Sequence, residues 1–306
     1  MLARIAGAVR FKEPLSFHTS LRIGGLADFF IIPQDLDDVR YALAFAEHED
    51  LPVTVIGGGN NLLISDNPIS GVVLKLGGIL GRAEFHGEEA AVGAGMTLSG
   101  LIRDAAAHNL GGLEFLAGIP ASIGGALVAN AGTRDGSFAD QCSAMYYLHR
   151  DGTLGEFRPA AHAGVSFDLP PGGIVVGCRV RLVRRPMREI QRNIQQRVKL
   201  RRSFQPFALA SAGYIWKNPP GKIAERLIEA CGLRGKRING AEISSKCTNL
   251  IVNRGGAGPD AVLALMEMTR QRVEKQFGIT LHPEMQMLGF PSPFEAAPRE
   301  LALRSA

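Results

Sequence analysis

Between residues 36 and 48 the apolar side chains fall at Val39, Ala42, Leu43 and Ala46, the three-and-four spacing of one helix face. Asp35 stands just ahead, where its carboxylate can cap the first turn. The pattern then shortens. Val53-Thr54-Val55-Ile56 is a β-branched run that predicts a buried strand leading into Gly57-Gly58-Gly59. Val72-Val73-Leu74-Lys75-Leu76 predicts a second strand. After Thr97, Leu98, Leu101, Ile102, Ala105 and Ala106 form another helix face, which Asn109 and Gly111 end. Strands are expected around 145–149 and 174–183. Farther on, the pattern predicts helices at about 187–203, 221–231 and 260–277, the last set between Pro259 and Gly278. Short strands should fall near 242–244, 249–253 and 284–288. Strands and helices alternating through Gly-rich connections define an α/β (α+β) chain.

Composition narrows the class. A chain of 306 residues can build two or three packed units, and 46% hydrophobic with 21% charged residues excludes a disordered chain. The net charge of +5 is concentrated in Arg184, Arg185, Arg188, Arg192, Arg197, Lys199, Arg201 and Arg202. Ile190, Ile194 and Val198 recur within that run at four-residue spacing, so it reads as an amphipathic helix with a solvated basic face. Only Phe204 and Phe207 lie beside it, too few aromatics for a nucleic-acid groove. Cys142, Cys178, Cys231 and Cys247 form no C-x-x-C pair, so no metal site is expected. The N-terminal residues lack a signal-peptide core, and the weakly polar stretch 111–132 contains Glu114 and Pro120. The expectation is a cytoplasmic monomer with no membrane and no nucleic-acid partner.

The candidate chemistry lies in the glycines. A strand that opens into Gly57-Gly58-Gly59-Asn60-Asn61 lets backbone N–H groups converge on an anion, with two amide side chains beside them. A plain turn would look the same. A second segment runs through Gly112, Gly118-Ile119-Pro120, Ser122, Gly124-Gly125 and Asn130-Ala131-Gly132. Two such loops in one α/β region fit a diphosphate carrying a nucleoside at each end. Spacing alone leaves glycines for sheet bends equally open.

The order of motifs resolves this. His18-Thr19-Ser20-Leu21-Arg22-Ile23-Gly24-Gly25, residues 57–66, Gly93-Ala94-Gly95 and residues 112–132 are followed by Ser211-Ala212-Gly213 and Lys217-Asn218-Pro219-Pro220-Gly221. Arg226-Leu227-Ile228-Glu229, Asn249-Leu250-Ile251-Val252-Asn253 and Pro283-Glu284 complete the series. Over about residues 10–289 the chain resembles the UDP-N-acetylenolpyruvoylglucosamine reductase family, in its shorter subtype. That resemblance implies FAD-binding subdomains of the vanillyl-alcohol-oxidase type at 1–80 and 81–186 and a substrate-binding α+β domain at 187–290; Pro291, Pro293 and Pro298 predict a loose tail at 291–306. It implies non-covalent FAD, NADPH as reductant, and a UDP-sugar whose enolpyruvyl double bond is reduced during peptidoglycan synthesis. The implied cofactor residues are Gly57, Gly58, Gly59, Asn60, Asn61, Leu62, Gly118, Ile119, Pro120, Ser122, Gly124, Gly125, Asn130, Gly132 and Ile174. Lys217, Asn218 and Asn249 are implied at the substrate, and Glu284 at the reacting centre.

Two positions depart from the family pattern. The proton donor, a serine or cysteine in relatives, falls on Tyr214. The family arginine falls on Ala163 in the run His162-Ala163-Gly164-Val165-Ser166-Phe167, and no arginine occurs between Arg158 and Arg179. Cys247-Thr248 stands where His-Ala is usual. Two readings stay open: Tyr214 replaces the donor with another cation, such as His162, in the arginine's place, or the FAD scaffold serves other redox chemistry or a non-catalytic role. His18 reads as a loop histidine more readily than a flavin attachment point. Trp216 reads equally as pocket lining or core, and Cys247 as a buried, inert thiol.

Overall fold

The structure, a computed structural model, describes residues 1–158, 172–206 and 208–290. His162, Ala163, Phe167, Phe207 and the tail from 291 lie outside the described residues. Helices and strands are mixed as the periodicity predicts, and the chain divides into two compact units. The first comprises Met1–Glu13, Ala27–Gly58 and Ser70–Ser203; the second comprises Pro14–Leu26, Gly59–Ile69 and the chain from Phe204.

In the first unit, one sheet runs in the spatial order Ala8–Pro14, Leu26–Ile32, Ile69–Lys75, Val53–Ile56. Its last two strands are parallel, with Val53 beside Val72 and Ile56 beside Lys75. The helix Leu36–His48 starts where expected: the Asp35 side chain accepts from the Asp38 N–H at 3.0 Å. It buries Val39, Ala42, Leu43 and Ala46 against Val72 and Leu74. The other sheet is antiparallel, in the order Leu154–Phe157, Cys142–Leu148, Ile174–Arg181, Glu89–Gly93, Ala83–His86. The helix Leu98–Ala107 belongs to its core and is capped by Thr97, which accepts from Gly100 N–H. The helix Met187–Phe204 buries Ile190 and reaches the same core through Ile194 and Val198. Most of its arginines face outward, as a basic solvated face requires.

The second unit is built on an antiparallel sheet in the order Ala210–Ser211, Ile251–Asn253, Ala241–Ile243, Arg237–Ile238. Ala241, Ile243 and Ile251 alternate onto a core shared with the helices Ala224–Ala230 and Pro259–Phe277. Gly278 closes the longer helix at φ 66°, the left-handed conformation that glycine adopts freely. The shorter helix begins at Ala224, later than periodicity suggests, because Gly221 takes φ +65° and Ile223 is extended at the cap. A separate parallel pair joins Leu62–Ile64 to Gln286–Leu288.

Glu242 is almost fully buried, and its carboxylate is held by Arg254, at 2.8 Å, and by Arg237. Hydrogen bonding from Arg254 leads the effects that hold this carboxyl below the usual range, against the opposing effect of burial. Its contribution to stability is therefore fully present above the ordinary carboxylate range, about 4.3, and is lost as pH falls through the lowered native value. Glu242→Gln should show a smaller drop in Tm between about pH 5 and pH 3 than the parent. Identical slopes in the two melting series would refute this.

Among the described residues no helix is long and apolar enough to cross a membrane.

Candidate functional site

In the first unit the two Gly-rich segments meet. The strand Val53–Ile56 ends at Gly57, and a Cβ on Gly57 would lie 2.4 Å from Ser122 Oγ and 3.8 Å from Gly125 Cα. The absence of that side chain is what lets the segments approach. Ser122 Oγ also accepts from Gly125 N–H at 3.2 Å, and Gly124 N–H donates to Ala94 O at 2.8 Å. The Gly93-Ala94-Gly95 motif thus backs the loop at 118–125. Leu113, Leu116 and Ile119 fix the preceding turn on the core, and Glu114 accepts from Gly112 N–H at 2.6 Å. Pro120 is exposed, and Gly132 opens a short hairpin with Gly136 and Ser137. Ile174, by contrast, is buried in the core beside Leu148, its partner on the neighbouring strand.

One residue near this loop escaped the periodicity argument. Arg201 sits on the basic helix, yet its Cδ lies 3.0 Å from the place a Gly118 Cβ would take. A run read only as a solvated face gave no signal of it.

In the second unit, Gly59 takes φ +64° and packs against the His18 carbonyl, while Ser20 N–H and Oγ both donate to Gly59 O. His18 contributes backbone here. Gly25 N–H donates to Ser65 O at 2.7 Å, so the first motif wraps the chain that follows residues 59–61. Leu62 then begins the parallel strand pair.

The proposed chemical residues of this unit converge by backbone pairing. Gly213 N–H donates to Asn60 O, Glu284 N–H to Ile215 O at 2.8 Å, and Asn61 Nδ2 to Glu284 O at 3.1 Å. Tyr214, 42% exposed, therefore lies next to the segment that pairs with Glu284, which is also exposed. Asn249 is buried, and both ends of its amide are used: Oδ1 accepts from Trp216 N–H at 3.0 Å and Nδ2 donates to Trp216 O at 2.8 Å. It clamps the segment carrying Tyr214 and Lys217. Asn218 Oδ1 accepts from Ala224 N–H, at the start of the helix Ala224–Ala230. Lys217 is exposed. Trp216 is 2% exposed and part of the core, which settles its two readings. Burial, with the Glu225 carboxylate adding to it, pushes the Cys247 thiol up to about 12, so it stays a neutral thiol at ordinary pH.

Two buried amide oxygens, Asn61 Oδ1 and Asn130 Oδ1, have no hydrogen-bond partner among the described residues. Such atoms are costly unless a ligand donates to them. Within the first unit, Asn130 Oδ1 and the close approach of Gly57 to Ser122 fit a dinucleotide.

A UDP-N-acetylenolpyruvoylglucosamine reductase from Geobacter metallireducens is 38% identical over 288 residues, covering 94% of this chain and 96% of its own length. The chain belongs to that reductase family. A relative from Syntrophotalea carbinolica with the same description is 38% identical over 92% of this chain and 94% of its own. Residues 205–288 match the C-terminal domain of UDP-N-acetylenolpyruvoylglucosamine reductase, and residues 27–158 match an FAD binding domain. The crystal structure of the Thermus caldophilus reductase superposes with a TM-score of 0.79 at 35% identity, covering 93% of this chain and 99% of that one. The fold is thus that of the reductase family, and the FAD-domain match spans both Gly-rich segments.

Proposed function

We propose that the chain catalyses NADPH-driven reduction of UDP-N-acetylglucosamine-enolpyruvate to UDP-N-acetylmuramate, a step of peptidoglycan synthesis, acting as a cytoplasmic monomer. The full-length likeness to reductases carries this reading. In it, residues 1–80 and 81–186 hold the cofactor and residues 187–290 the UDP-sugar.

By the family resemblance, residues 57–62, 118–125, 130 and 132 would hold FAD; in the first unit, Gly57 and Ser122 would give backbone access and Asn130 would accept a hydrogen bond. Bound FAD would supply the hydride, drawn from NADPH, that saturates the enolpyruvyl bond. The substrate is left with negative charge on the carbon beside its carboxylate, and this carbon needs a proton. Tyr214 is the donor in this reading. A phenol, with an ordinary pKa of about 10, can protonate a strongly basic enolate. Asn249 keeps the Tyr214 segment in place through Trp216, and Glu284 pairs with that segment at Ile215.

An anaerobic titration tests the reading. NADPH should bleach the flavin spectrum, and the enolpyruvyl UDP-sugar should then restore the oxidised bands with formation of UDP-N-acetylmuramate. Bleaching with no return of the bands would overturn it and leave a flavoprotein with other redox chemistry.

A further inference from the structure

Trp216 and Pro283 form an isolated antiparallel bridge. Lys217 N–H donates to His282 O at 2.9 Å, and Glu284 N–H donates to Ile215 O at 2.8 Å. These two bonds bracket Trp216 and Pro283 as the non-hydrogen-bonded pair of the ladder. Side chains alternate along such a ladder, so the rungs on either side of this pair face away from it. Trp216 is in the core, and Lys217 and His282 on one rung and Glu284 on the other lie on the opposite face of the pairing, which also carries the buried Ile215. All three are exposed, while Ile215, opposite Glu284, is covered.

Residues directly opposite on an antiparallel pair have Cβ atoms about 5 Å apart. Residues two apart on one strand stand about 7 Å apart on the same face. Lys217 and His282 therefore stand as neighbours on one face, with Glu284 as the next side chain along. Nothing in the sequence periodicity marks this group, because His282 and Lys217 are 65 positions apart by their numbering and meet only through the bridge. Tyr214 lies just before Ile215 on the Lys217 segment.

An enolpyruvyl substrate brings a carboxylate and, during reduction, a second developing negative charge on the adjacent atoms. Cations preorganised beside that charge lower the barrier most. We propose that His282, in its protonated form and together with Lys217, contacts the substrate's carboxylate and the charge that develops next to it. This rests on the reductase reading above. His282 makes and breaks no bond in this role. Lys217 and Glu284 are the charged groups that share its face of the paired segments; the clamp on the other edge, Asn249, is neutral.

The cationic form of an imidazole is the one that holds a carboxylate, so kcat/KM should be higher on the acid side and fall as pH rises. His282→Gln should lower kcat/KM about ten- to a hundredfold at pH 6 and flatten that limb. His282→Lys should restore the rate and keep it level to higher pH, an outcome that a purely structural histidine would not give. Binding of UDP-N-acetylmuramate, followed by perturbation of the flavin spectrum, gives a second readout free of turnover. Its affinity should weaken with rising pH in the parent and lose that dependence in His282→Gln. A Gln variant within twofold of the parent, with an unchanged pH profile in both assays, would overturn the inference. Absence of turnover in the parent, with His282-dependent binding retained, would instead refute the reductase reading and leave the carboxylate contact standing.

Discussion

Replacing Tyr214 with phenylalanine should slow turnover of the enolpyruvyl substrate by about a hundredfold to ten-thousandfold, the usual worth of a positioned general acid. Flavin content and flavin reduction by NADPH should be unchanged, because no loop of the FAD-binding match includes residue 214. Rapid-mixing measurements of the two half-reactions would separate these effects. The phenyl ring keeps the bulk of a side chain that is nearly half exposed, so loss of the hydroxyl is the main change. Tyr214→Ser should recover part of the rate by restoring a hydroxyl at the same backbone position. A phenylalanine variant that turns over at the parental rate would remove Tyr214 from the mechanism.

Gly59→Ala should be the most damaging single methyl in the second unit. The residue has φ +64°, which alone costs an alanine about 1–2 kcal/mol. The added Cβ would also lie 2.0 Å from the His18 carbonyl oxygen and 2.7 Å from Thr19 Cα. Both are backbone atoms, and neither is free to move. Thr19 Oγ1 is bonded to the Ile23 backbone in both directions, and Ser20 is tied to Gly59 itself. We expect a total loss of about 3 kcal/mol or more, a Tm lower by about 6–12 °C, and little flavin retained on purification. Gly221→Ala is the matched control. It has φ +65° with open space around it, so only the conformational cost should appear. Equal melting temperatures for the two variants would show that the contact with His18 is unimportant.

The helices were legible because each carries its own periodicity and punctuation. Asp35, Thr97 and Gly278 all serve as the caps their positions suggest. The strand Ala8–Pro14 was not legible: its sequence, Ala-Val-Arg-Phe-Lys-Glu-Pro, is mostly exposed, so burial leaves no alternation to read. The helix Ile123–Val128 was hidden by Gly124 and Gly125, poor helix formers; Gly124 packs against Ala94 and Gly125 sits beside Ser122 Oγ. At the site, the Gly-rich loops were found because close approach demands glycine. Asn249 was legible as a motif residue, but its action through Trp216 depends on a contact 33 positions away. The juxtaposition of Lys217 and His282 depends on pairing still farther apart. Side-chain chemistry is written locally, whereas convergence is set by the ladder that brings the segments together.

That ladder also sets an order of events. Asn61 and Glu284 are 223 positions apart, and the strands Leu62–Ile64 and Gln286–Leu288 seal the same junction. A nascent chain has all of the first unit in hand once Ser203 has emerged, yet its early segments at 14–26 and 59–69 must wait for partners still to be synthesised. Closure over such a distance is slow compared with local helix formation. Buried apolar side chains such as Leu21, Ile23 and Leu63 would remain uncovered through that interval. The nascent protein should thus be most open to aggregation and chaperone capture just before the strand Gln286–Leu288 arrives, and the pairing that brings Glu284 to the Tyr214 segment should form late.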